Sequence, residues 1–189
     1  MRLLFALLAA ALLQGCGTVH NTMRDGADDR VMLRGNDPVS YFSSSKPQKG
    51  ETALQSIFDG DVYRFATDAN KRLFDANPRK YAPAWTGFCA SGVHYALKAA
   101  IGADVYMVYK DRLYMFGSER SRVNWLMEAD ENIRLGDEYW EKETKDVPYR
   151  LQNGKRLLFK VAHYKTDREL DAEHLRRFGK LPPGAPPPR

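Results

Sequence analysis

Three two-residue turn pairs, each set between short apolar or aromatic runs, constrain the fold of this chain more than any other feature. Asp59-Gly60 separates Leu54–Phe58 from Val62–Phe65, and Lys110-Asp111 separates Val105–Tyr109 from Leu113–Phe116. Asn153-Gly154 separates Tyr149–Leu151 from Arg156–Val161. A two-residue loop matches the twist of antiparallel strands when its residues take positive φ, so each pair predicts a hairpin. Helix starts alternate with these turns. Thr67 is placed to cap a helix carrying Leu73 and Phe74, and Pro78 opens a short turn at Arg79–Tyr81. Ser118 caps a helix over Glu119–Glu128 with Val123, Leu126 and Met127 on its apolar side. Thr166 and Glu169 form a capping box; the helix they open carries Leu170, His174 and Phe178 at four-residue spacing and stops at Gly179. Clumped hairpins and helices without an alternating strand–helix rhythm predict an α+β fold: antiparallel hairpins with short packed helices, closed by a C-terminal hairpin plus helix. The 22 aromatic residues suffice for a packed core, and two cysteines are too few for a disulfide scaffold.

The ends of the chain read differently. Arg2 precedes an unbroken apolar run, Leu3–Leu13, then Gln14, Gly15 and Cys16. Eleven residues are too few to cross a bilayer as a helix, which needs about 20. A basic start and a short apolar core describe a secretory signal. A cut at Ala9-Ala10-Ala11 would truncate the apolar core. Leu13-Gln14-Gly15-Cys16 instead resembles a bacterial lipobox, which implies removal of residues 1–15 as a lipoprotein signal peptide and acylation of Cys16. The alternative is a soluble exported protein with an idle cysteine. Gly17, rather than an acidic residue, implies passage to the outer membrane, facing the periplasm. Residues 16–32 read as a flexible tether, and the proline-rich 181–189 as a disordered tail. Charge is uneven as well. Residues 145–189 hold 11 basic and 5 acidic side chains, against 17 and 19 in residues 16–144. The basic end is either a surface for anionic head groups or an envelope partner, or a solvated face. Nucleic acid is a poor partner for an exported chain.

Gly35-Asn36-Asp37-Pro38-Val39-Ser40-Tyr41-Phe42 resembles the opening of a YHS domain. Tyr63-Arg64-Phe65-Ala66-Thr67, Phe74 and Asn77-Pro78-Arg79-Lys80-Tyr81 continue the resemblance, and the stretch through Cys89-Ala90, Glu131-Asn132-Ile133 and Trp140 is similar to longer exported YHS proteins. It covers about residues 33–140, so 33–144 is expected to be a YHS-like domain and 145–180 a basic hairpin–helix extension. Asp37, Pro38, Tyr41, Tyr63, Phe65, Phe74, Pro78 and Tyr81 then carry the structure of the motif. Residue patterning agrees: Pro38 fixes a turn, Tyr63 and Phe65 share a strand face, and Phe74 and Tyr81 are expected to close over that face. Many YHS domains carry metal-binding thiols, but the places the resemblance assigns to them hold Ser40, Ala66 and Asn70. Soft-metal affinity depends on thiolate, so these residues hold such ions poorly.

One thiol remains, Cys89. With Cys16 acylated it has no disulfide partner, and it is buried, metal-bound or reactive. His94 lies five residues on, about 140° round a helix or on the opposite face of a strand; only an irregular segment, which Gly92 permits, would bring the two together. Met107 and Met115 would supply thioethers for copper or another soft ion. No catalytic signature is present: GxSxG, HExxH, a Walker loop and CxxC are all missing, and Asp37 reads as a turn-former rather than a base. The expectation is therefore a lipid-anchored accessory or binding module without enzymatic activity, with a small ligand or soft metal at Cys89, His94, Met107 and Met115. The alternatives are an envelope-interaction module using the basic C-terminal segment and, less favoured, a thiol enzyme. If the N-terminus is processed at Cys16, the mass of the membrane-extracted protein will show loss of residues 1–15 and added acyl chains, and Cys16→Ala will abolish both. An unmodified Cys16 thiol in the mature protein would refute the anchor.

Overall fold

Four strands form the first sheet: β1 (Thr22–Asp25), β2 (Asp28–Met32), β3 (Glu51–Phe58) and β4 (Asp61–Phe65), in spatial order β1-β2-β4-β3. The computed structural model describes residues 21–44 and 46–187. The apolar run, Cys16 and the first residues of the expected tether lie outside them. β3 and β4 turn at Asp59 and Gly60, whose φ values of 50° and 80° are the left-handed pair that the sequence predicts.

Residues 22–32 are not a tether but a hairpin of this sheet, a correction with a clear cause. Arg64 on β4 is buried and ion-pairs with Asp25 and with Asp28 (3.0 Å), so the acidic residues that read as linker are the partners of a buried cation. Val31 and Met32 then enter the core completely. β2 runs parallel to β4, with Val31 opposite Val62, so the sheet is mixed rather than purely antiparallel.

Helix α1 (Ser40–Ser43) follows the first hairpin, and α2 (Asp68–Ala76) and α3 (Pro78–Tyr81) follow β4. Thr67 caps α2, its Oγ1 accepting Asn70 N–H at 3.1 Å. Phe74 closes over Tyr63 and Phe65, with ring centroids 4.7 and 5.2 Å apart. Tyr81 makes its edge-on ring contact with Phe42 instead, at 5.4 Å. Tyr41 packs edge-on against Tyr106 at 4.7 Å and donates to Ala103 O at 2.8 Å, which ties the first unit to the second hairpin.

That hairpin is β5 (Gly102–Tyr109) and β6 (Arg112–Phe116). Lys110 and Asp111 turn it with φ of 47° and 60°, the same left-handed turn made without glycine. Helix α5 (Glu119–Leu126) begins at the Ser118 cap; Leu126 packs against the core as expected, but the fully buried residues are Asn124 and Trp125, with Val123 and Met127 half-buried. Helix α6 (Ala129–Tyr139) crosses Trp85 at Gly136; a Cβ there would stand 2.5 Å from the indole, so only glycine permits the crossing. A π turn, Trp140–Thr144, leads into the C-terminal extension.

The third predicted hairpin does not form. Residues Tyr149–Leu158 make helix α7, which runs straight through Asn153-Gly154. Asn153 is held on both sides of its amide: Oδ1 accepts Lys98 N–H at 2.9 Å and Nδ2 donates to Lys98 O at 2.8 Å. Gln152 donates to Ala96 O at 2.8 Å. An isolated two-stranded ribbon is marginal, and these tertiary bonds favour the helix. The final helix, α8 (Asp167–Phe178), has the expected capping box and ends at Gly179 with φ 68°. Its expected apolar stripe is only partly inward. Asp171, Glu173 and His174 are buried, whereas Phe178 is exposed. Asp171 explains this by accepting from Arg120 Nε at 3.0 Å and Asn124 Nδ2 at 3.1 Å. The tail is ordered through residue 187: Pro182 is buried, and Ala185 N–H donates to Pro182 O at 3.1 Å.

Asn153→Ala is expected to lower stability by about 2 kcal/mol, since two protein–protein hydrogen bonds are lost at about 1 kcal/mol each. Hydrogen exchange should locate the loosening in residues 145–160 and leave the amides of β3–β6 protected.

Candidate functional site

Two of the places where polar side chains lie inside the fold hold residues that the sequence singled out. The first is the Asp37-Pro38-Val39 turn. Asp37 is fully buried, and its Oδ1 accepts Val39 N–H at 2.9 Å, as expected of a turn-former. Its Oδ2 accepts Ala66 N–H at 2.9 Å and Asn70 Nδ2–H at 2.7 Å. Ser40 Oγ donates to Asp37 O at 2.6 Å and accepts Gln48 N–H at 2.9 Å. Ala66 and Asn70 therefore converge on the Asp37 carboxylate, and Ser40 on the carbonyl of the same residue. Every one of these polar groups is engaged, and the knot joins α1, β4 and α2.

The second place surrounds α4 (Ala90–Val93), where Cys89 and His94 stand as the flanking residues at opposite ends. Cys89 is buried; its Sγ accepts Gly117 N–H at 3.2 Å and lies 3.1 Å from Ser91 Oγ. His94 directs Nδ1–H to Ala90 O at 3.2 Å, away from the thiol. In the β5–β6 register Met107 pairs with Tyr114, and Met115 pairs with Tyr106, so the two methionines occupy opposite faces of the hairpin. Met115 is completely buried. Of the four, the structure thus brings Cys89 and Met115 side by side as partners in an isolated parallel bridge, whereas Met107 lies on the other face of the hairpin and His94 bonds Ala90 O. Among the described residues no group of three or more His, Cys, Asp or Glu side chains is placed to hold a metal ion.

What lies beside Cys89 is a cleft of about 410 Å³ between α4, α5, α6 and the C-terminal extension. Ser91, the hydroxyl partner of the thiol, lines it, and so do His94, Tyr95, Asn124, Trp125, Asn132 and His163. His163 Nε2–H donates to His94 O at 2.9 Å, and its ring stacks on Tyr139 at 5.8 Å. Tyr95 lies 3.8 Å from the His94 ring and 5.5 Å from that of His163. The rim charges are closed on one another: Arg120 on Asp171 and Asp167, Lys165 on Glu173 at 2.6 Å, and Glu131 on Arg134 at 2.7 Å. Inside, Asn124 Oδ1 and Trp125 Nε1 are buried and have no hydrogen-bond partner within the described protein.

Burial lowers the pKa of His94 to about 4, and neighbouring His163 adds to the effect, against the opposing bond to Ala90 O. The ring is neutral at pH 7, with its proton on Nδ1 and its Nε2 a bare acceptor. Sequence reasoning singled out His94 but missed Tyr95, Asn124, Asn132 and His163. Asn124 had one available signal: it adjoins Trp125, whose burial turns that side of α5 inward. His163 had none, because its place depends on a helix read as a strand.

The fold and cleft define an α+β domain with a polar pocket closed by its own C-terminal extension. Compared with models of known protein families, with curated proteins and with solved structures, the chain matches none of them.

The His94 shift makes stability depend on pH. Between about pH 6.5 and 4 the unfolded chain takes a proton that the folded ring refuses, so stability falls with pH across that window and levels off below it. Relative to His94→Asn, the wild type is expected to lose up to about 3 kcal/mol of unfolding free energy between pH 7 and 4, at 1.36 kcal/mol per pH unit. Parallel curves for the two proteins would refute a neutral buried ring.

Proposed function

We propose that this protein is a lipid-anchored envelope module, YHS-like in its central domain, that binds a small neutral polar ligand in the cleft beside Cys89. The observation that carries the ligand reading is the inner wall of the cleft. His94, neutral at pH 7, and Asn124 and Trp125, whose amide oxygen and indole N–H are buried without a partner, are among the residues lining a space of about 410 Å³ whose charged residues are already paired. Ligand pockets commonly have this size and a few convergent polar groups among aromatic walls. The closed ion pairs favour a ligand without net charge, which would hydrogen-bond as both donor and acceptor. A soft metal is less well supported, because the Cys89 thiol already meets Ser91 and Gly117 and only Met115 is paired with it, Met107 lying on the other face of the hairpin. The YHS-like reading is supported by the Asp37 turn, the β3–β4 hairpin and the Phe74 cover, and the envelope location by the lipobox-like segment ending at Cys16.

Ligand-observed NMR with a library of small amides, amino acids and sugars provides the test. Leu135 lines the cleft and is half-buried, so Leu135→Trp should fill the space. Bound compounds are expected to be lost in this variant, with its melting temperature close to wild type. Compounds that bind both proteins equally would place the ligand elsewhere. A melting shift with copper(I) that vanishes in Cys89→Ser would instead restore the metal.

A further inference from the structure

Helix α7 is built inside out. Its amide side chains, Gln152 and Asn153, face the protein and bond the backbone of Ala96 and Lys98. Its leucines face away: Leu151, Leu157 and Leu158 are 62%, 78% and 76% exposed, and Phe159, just beyond the helix, is 68% exposed. At 100° per residue, Leu151 and Leu158 share one side, with Gln152 about 100° round towards the protein, while Leu157 stands about 120° from Leu151 on the other side, next to Arg150. Helices on globular proteins turn their apolar stripe inward, so four large apolar side chains on a convex ridge point to an apolar environment outside the chain.

The helix and the loop after it carry charges of one sign. Residues 147–166 hold five basic side chains and no carboxylate. Arg156 is turned inward to Glu143, but Arg150 and Lys160 are exposed, and Lys155 remains half-exposed although it also meets Glu143. Exposed leucines on a surface helix, interspersed with cations, match a bilayer interface with anionic head groups: the leucines enter the acyl boundary and the cations stay at the phosphates. A protein groove would match the leucines but would give no reason for the cations. We infer that α7, with Phe159, docks on the surface of an anionic lipid bilayer. This surface is separate from the cleft, and its test does not depend on the cleft being occupied.

The test is hydrogen exchange of the full chain with vesicles of phosphatidylcholine plus phosphatidylglycerol, with pure phosphatidylcholine vesicles, and with none. Amides of residues 150–159 are expected to slow several-fold on the anionic vesicles only, and the effect should weaken at high salt, which screens exposed charges. The triple variant Leu151→Ser, Leu157→Ser, Leu158→Ser changes only outward side chains. It should keep the wild-type circular dichroism and lose the protection. Equal protection on both vesicle types, or none on either, would overturn the inference. So would a dimer in vesicle-free solution that the triple variant dissolves, since the ridge would then belong to a second copy of the chain.

Discussion

His94, Tyr95, Ala96 and Lys98 are buried, and Ala96, at φ 57°, gives the segment a local turn that offers several of its polar groups no partner within a sheet or helix. Buried amides and carbonyls must be satisfied somewhere, and here the C-terminal extension satisfies them. His163 takes the His94 carbonyl, Gln152 takes that of Ala96, and Asn153 takes both the N–H and the carbonyl of Lys98. The Lys98 amine completes the exchange by donating to Lys145 O and Val147 O at 2.9 and 2.8 Å. One constraint therefore decides three features at once. It docks the extension, it turns the polar side of α7 inward so that leucines remain outside, and it carries His163 to the wall of the cleft.

The Asp37 turn solves a similar problem by a different chemistry. A buried carboxylate is costly unless its lone pairs are occupied, and Asp37 collects two backbone N–H groups and the Asn70 amide. Ser40, Ala66 and Asn70, where the YHS resemblance implies thiols, instead supply hydrogen bonds to Asp37 or lie around it. The cluster is a structural joint. Polar chemistry with unpartnered atoms is found instead at Asn124 and Trp125.

The three turn pairs show how far local pattern reaches. Asp59-Gly60 and Lys110-Asp111 turn hairpins whose second strands, β4 and β6, carry buried aromatic and apolar residues into the core. Asn153-Gly154 carries as strong a turn signal, yet Asn153 spends its side chain on Lys98, 55 residues away, and the helix continues. The same logic hid β1 and β2. Asp25 and Asp28 look like linker until Arg64 is placed between them. Within the candidate site, His94 was legible as an imidazole near the thiol, whereas its neutrality follows from burial that no spacing reveals.

Taken alone, the sequence determined the caps at Thr67, Ser118 and Thr166, the two inner hairpins, the aromatic core around Phe65 and Phe74, and hence the α+β class. These depend on interactions a few residues apart or on periodicity, which a linear pattern records. Only the tertiary structure decided that residues 22–32 join the sheet, that residues 149–158 are helical, and which side chains line the cleft. Each of those outcomes rests on a polar group meeting a partner more than thirty residues distant, and side-chain type at one position carries no record of the group that will face it.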